Sequence, residues 1–125
     1  MRLKVAFVIL PMIAAMAGVL AAETLKSATV KGYVIDSACA FTKNLAKPVS
    51  KECAVSCAKS GSQLVILADN GVIYWPISDA TPAGGQNQKL LPFAAEKVVV
   101  TGKVFTRGGS RAIVIEKIEP EPKAK

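Results

Sequence analysis

The sequence predicts a mainly β protein, a single small domain whose five strands close into an antiparallel barrel with a short helix between the first strand and the second. Three observations lead there. Apolar residues make up 51% of the chain and charged residues 20%, too hydrophobic for a disordered chain and too often interrupted for a multispanning membrane protein. Apolar runs of strand length recur between turn signals, and two successive pairs of them are joined by tight Gly-containing turns. Five strands in an open sheet would leave exposed edges, and closure removes them.

The chain opens with Arg2 and Lys4, continues as an apolar stretch from Val5 to Val19 and ends that stretch on Leu20-Ala21-Ala22 ahead of Glu23. This is the pattern of a secretory signal peptide over residues 1–22, cut after Ala21 or Ala22. The stretch is short for a span of about 20 residues and lacks a basic stop-transfer cluster, so no stable membrane insertion is expected after cleavage. A periplasmic or secreted location follows. Removing the leader leaves 103 of the 125 residues, room for one domain, and lowers the formal net charge from +7 to +5. The basic residues are scattered, as on an ordinary solvated surface.

Residues 23–27 read as a linker, residues 28–119 as the barrel domain and residues 120–125 as a flexible basic tail. Alternation of Val30, Gly32 and Val34 against Lys31, Tyr33 and Ile35 predicts a first strand over Ala28 to Ser37. Ser50 stands at an N-cap position before Lys51-Glu52, and Cys53, Ala54, Cys57 and Ala58 share one helical face up to the stop at Gly61. Gln63 to Ala68 and Val72 to Ile77 are joined by Asp69-Asn70-Gly71, a strong hairpin signal. Ser78 to Gln88 is a long exposed loop, and Pro92 limits Lys89 to Ala95 to a helical turn. Lys97 to Thr106 and Arg111 to Ile118 flank Arg107-Gly108-Gly109-Ser110 as a second hairpin.

The strands Val98 to Val104 and Ala112 to Ile118, preceded by Leu90-Leu91-Pro92-Phe93, look like the last two strands of small bacterial OB-fold proteins. Upstream, Gly32-Tyr33-Val34-Ile35-Asp36-Ser37-Ala38-Cys39 is followed by Cys53-Ala54-Val55-Ser56-Cys57-Ala58-Lys59-Ser60-Gly61. Together these resemble a group of uncharacterised secreted bacterial proteins with a small OB-fold-like domain and a Cys...CAxxC motif, over nearly all of the chain after the leader. The resemblance implies an OB-like five-stranded barrel outside the cytoplasm and names no activity. Members of that group often carry a His three residues before the first Cys of the pair, where this chain has Ser50.

There is no histidine, which removes Ser/His/Asp and Cys/His catalysis and His-ligated metal or haem. The acidic residues show no pairing that a general acid and base would require, and no glycine-rich phosphate loop is present. No catalytic residue is assigned. Cys39, Cys53 and Cys57 are the chemically loaded set. Outside the cytoplasm a disulfide is expected, and because Cys53 and Cys57 are poorly spaced for a bond within one helix, Cys39 is the expected partner of one of them. Closing a loop of about 15 residues would add about 3 kcal/mol. The third cysteine reads as a small buried hydrophobe. The alternatives are a soft-metal site of the Cu(I) type built by all three thiolates, zinc with an oxygen from Asp36, or thiol exchange at the C-x-x-x-C pair.

The leading expectation is therefore a secreted, non-catalytic binding or interaction module stapled by a disulfide, with no cofactor unless the soft metal is one. The aromatic residues Tyr33, Tyr74, Trp75 and Phe105 can furnish a binding face. Tyr33, Tyr74, Trp75, Lys103 and Arg107 are the candidate ligand residues; Tyr74 and Trp75 are adjacent on one strand and so point to opposite faces. An envelope glycan or a protein is the expected partner, and nucleic acid is not.

Overall fold

The computed structural model describes residues 27–125; the expected leader and residues 23–26 of the expected linker lie outside them. Five strands, β1 (Ser27–Asp36), β2 (Leu64–Ala68), β3 (Ile73–Pro76), β4 (Lys97–Arg107) and β5 (Ser110–Pro120), form a closed barrel in the order β1-β2-β3-β5-β4. Between β1 and β2 lie two helices, α1 (Ser37–Thr42) and α2 (Lys51–Lys59). A third, α3 (Asn87–Leu90), runs into a 3-10 turn at Leu91–Phe93 before β4. This is the OB-like barrel expected from the sequence. None of the described helices is long and apolar enough to cross a membrane.

One seam departs from the expected antiparallel pairing. β1 pairs antiparallel with β2 and β4, β2 with β3 and β4 with β5, whereas β3 and β5 pair in parallel through Tyr74↔Arg111, Trp75↔Ala112 and Pro76↔Ile113. The reason is parity. Strand directions cannot alternate all the way around a ring of five, so one seam has to be parallel.

The alternation in β1 sends Val30 and Val34 inward, where they meet Leu64, Ile66, Val98, Val100 and Ile113. Leu90 from α3 packs into the same cluster, with Leu91 and Phe93 beside it. A second apolar layer lies on the outside of the barrel. Ile35, Val65 and Leu67 pack there with Ala40 of α1, Leu45 of the following loop, Ile73 and Trp75. All five residues of β2 are consequently buried, on both faces of the strand.

The helix expected after Ser50 forms as α2, and the Ser50 hydroxyl accepts the Cys53 N–H at 3.1 Å. It ends where Gly61 takes φ 101° and the Gly61 and Ser62 N–H groups donate to the carbonyls of Ala58 and Cys57. Ser50→Ala is expected to lower stability by about 1 kcal/mol, read as a lower midpoint at unchanged slope in urea unfolding. Helix α1 was not expected, because Asp36 reads in sequence as the end of a strand. Its carboxylate instead caps the new helix, Oδ1 accepting the Cys39 N–H at 2.9 Å. At the other end of the chain, β5 continues through Pro120, past the expected strand end at Ile118. The Glu121 N–H donates to the Lys97 carbonyl at 2.9 Å, and its carboxylate lies 3.4 Å from the Lys97 ammonium. The first residues of the expected tail are thus fastened to β4.

Candidate functional site

Two groups of side chains collect chemistry on opposite sides of α1. The first is on the outer surface of β3, β5 and β4. Trp75 and Phe105 are both in register with Ala112, one from each side. Because Ile113 points into the core, its neighbour Ala112 points outward, and so do the rings flanking it. Adjacent strands lie about 4.8 Å apart, so the backbones of Trp75 and Phe105 are roughly 10 Å apart with only a methyl group between them. Two van der Waals contacts of about 3.5–4 Å leave room there for one ring. The cleft has a volume of about 280 Å³, and Arg107, Ser110 and Arg111 complete its lining.

Trp75 is held from behind. Phe41 of α1 stacks on it with ring centroids 5.9 Å apart and an interplanar angle of 21°. Neither Arg107 nor Arg111 makes an ion pair among the described residues. Of the expected ligand residues, Trp75 and Arg107 line this cleft. Tyr74 does not: its ring belongs to the inner core and is only 9% exposed, because parity along β3 sends it inward when Trp75 points out. Tyr33 lies on β1, in register with Leu67 and Lys97, away from the cleft. The Lys103 ammonium sits 3.8 Å from Asp79 of the long loop. Arg111 and Ala112 had no signal in the sequence, since their part in the cleft depends on the parallel seam.

The second group surrounds the start of α1. Asp36, Cys39 and Cys57 bring a carboxylate oxygen and two sulfurs within 4.8 Å of one another. Cys53, one turn before Cys57 on α2, shares a crevice with Cys39 and Asp36, walled by Pro48, Val49 and Ser50. Asp36 is 2% exposed. Burial alone would raise its carboxyl, but the Ser62 hydroxyl and the Cys39 N–H, assisted by the Cys39 thiol and the Ala38 N–H, donate to it and hold its pKa below the ordinary value. Ser62 is itself placed by Asn87, whose side chain donates to the Ser62 carbonyl at 2.8 Å and accepts the Leu64 N–H at 2.9 Å.

The expected disulfide is not formed. All three cysteines are free and partly exposed. The Cys39 thiol donates to Asp36 and the Cys57 sulfur lies beside the same carboxylate, and no two sulfurs form a bonded pair. Burial, then that hydrogen bond and the Asp36 charge, and then the neighbouring thiols push Cys39 up to about 11. Burial and the same carboxylate also raise Cys57. The carboxylate beside Cys39 disfavours its thiolate, whereas thiol-exchange enzymes use an electropositive setting to lower the pKa of the attacking sulfur. The raised Cys39 and Cys57 thiols thus differ from the lowered thiol of such enzymes.

The fold places the chain among small OB-like barrels with a helical insertion between the first two strands. No protein-family model matches the chain, and no curated protein or solved structure is significantly similar to it.

Proposed function

We propose that the chain is a non-catalytic binding module, exported by its leader, that holds an acidic sugar ring of an envelope glycan between Trp75 and Phe105. One observation carries the reading: two outward rings stand either side of Ala112, with two unpaired arginines at the same cleft. An aromatic face takes the apolar face of a sugar ring, and an arginine fork takes its carboxylate by paired charge-assisted hydrogen bonds. The Phe41 stack keeps Trp75 in place before the ligand arrives, which lowers the ordering cost of binding. Barrels of this architecture commonly bind chains of sugars or nucleotides. Here the free positive charges at the cleft are Arg107 and Arg111 alone, with Lys103 engaged by Asp79. A single-stranded nucleic acid needs a basic groove that follows several phosphates, so the charge pattern favours one carboxylate at a time.

Trp75 is the only tryptophan, so its fluorescence reports on the cleft directly. Titration with oligogalacturonate is expected to give a saturable change, at least about tenfold tighter than neutral oligogalactose, which corresponds to about 1.4 kcal/mol. Arg107→Gln and Arg111→Gln, both at exposed positions, should each remove most of that preference without altering the melting curve. Equal response to the neutral oligomer, tighter binding of oligothymidylate, or no change in Trp75 emission would each overturn the reading.

A further inference from the structure

We propose that Cys39, Cys53 and Cys57 form a binding site for one thiophilic, low-coordinate ion of the Cu(I) type, with Asp36 as the residue that positions Cys39 and not as a ligand. This site is separate from the aromatic cleft and does not depend on the glycan reading. Its basis is the convergence of the Cys39 and Cys57 sulfurs, one from each helix, within 4.8 Å of each other and of a buried carboxylate oxygen, with Cys53 lining the adjoining crevice. Cys39 comes from the first turn of α1, and Cys53 and Cys57 come from successive turns of α2. Side chains four apart in a helix lie on the same face, so the α2 pair presents both sulfurs toward α1.

The composition of the cluster selects the class of ion. Its candidate donors are three thiols and one carboxylate, and histidine is absent from the chain. Thiolates favour soft ions, and Cu(I) is satisfied by two or three sulfurs, whereas a closed zinc site takes four ligands in a tetrahedron. The fourth ligand for zinc would have to be Asp36. Its Oδ1 already accepts the Cys39 N–H and its Oδ2 the Ser62 hydroxyl. Drawing that carboxylate onto a metal would give up the cap of α1, the helix that carries Cys39. The crevice that Asp36, Cys39 and Cys53 line is about 10 Å³, the room of a single water-sized occupant. On binding, each ligating thiol releases its proton to solvent and forms one sulfur–metal bond, and the ion keeps its oxidation state.

The test uses the purified, reduced protein under anaerobic conditions, titrated with Cu(I) against a chromogenic Cu(I) chelator. One Cu(I) per chain is expected, with all three thiols shielded from alkylation and X-ray absorption showing sulfur as the only donor. Cys39→Ser and Cys57→Ser should each weaken binding by about a hundredfold or more, since a hard hydroxyl replaces a soft ligand. The alkylation and absorption measurements are made on the unsubstituted chain, so they decide the matter even where a serine variant fails to fold. Three results would overturn the proposal. One is Cu(I) retained within tenfold by both serine variants. Another is oxygen in the first coordination shell together with stronger retention of Zn(II) than of Cu(I). The third is a protein isolated without reductant in which Cys39 is disulfide-bonded to Cys53 or Cys57.

Discussion

Gly102→Val is expected to destabilise the barrel severely, seen as a much lower midpoint in guanidinium unfolding followed by the near-ultraviolet signal of Trp75. Gly102 is buried on β4, where the register against β5 shifts between Thr101 and Gly102. A Cβ placed there would overlap the carbonyl of Val114 and come within 3.2 Å of Cγ1 of Ile113. The first obstacle is backbone, fixed by the β4–β5 ladder, and the second is a fully buried core side chain. Neither can rotate aside. Overpacking of this kind costs on the order of 3 kcal/mol or more, a large share of the roughly 5–15 kcal/mol that holds a domain together. Gly32 faces the same obstacle, the carbonyl of Leu67. Gly84→Ala is the matched comparison: nothing lies within 4 Å of the added methyl, and its expected effect is within about 0.5 kcal/mol.

Asp36→Ala has the second-largest expected effect, a loss of about 2–4 kcal/mol in urea unfolding. The substitution removes the cap of α1 and leaves the Cys39 N–H and the Ser62 hydroxyl without their acceptor. Once α1 loosens, Ala40 and the Phe41 stack leave the outer faces of Val65, Leu67 and Trp75. The carboxylate also gives stability an acid limb. Its pKa is lower in the folded chain than in the unfolded one, so its contribution is present above the ordinary carboxyl range and is lost as the pH falls through the folded-state value. Asp36→Asn keeps an acceptor for the Cys39 N–H and should flatten that part of the profile while unfolding at a lower midpoint at neutral pH.

Local signals in the sequence were legible where one residue type has one structural use. Ser50 as a cap, Gly61 as a stop and Asn70-Gly71 as a turn act within a few residues of themselves, and each appears where expected. Helix α1 was missed because six residues are too few to show a period, and because Asp36 ends a strand and caps a helix at once. The parallel seam was open to a counting argument, since five directions cannot alternate around a ring, yet which strands share it depends on contacts far apart in the chain. The same limit applies to the two sites. Alternation says that Tyr74 and Trp75 face opposite ways but not which faces out. The approach of Cys39 to α2 depends on a helix whose cap, Asp36, reads in sequence as a strand end.

The pairing of β1 has a consequence for how the molecule is made. Ser27 lies opposite Lys103, and the rest of that seam runs back to Tyr33 opposite Lys97. The first strand to leave a ribosome therefore has no partner on this side until nearly the whole chain has followed it. Contacts so distant in sequence slow folding and hold back closure until late. During that interval β1 has only β2 beside it and its other edge stays open, the kind of edge on which nascent chains aggregate. Closure of the barrel therefore waits for β4, and a chain truncated before β4 has nothing with which to complete it.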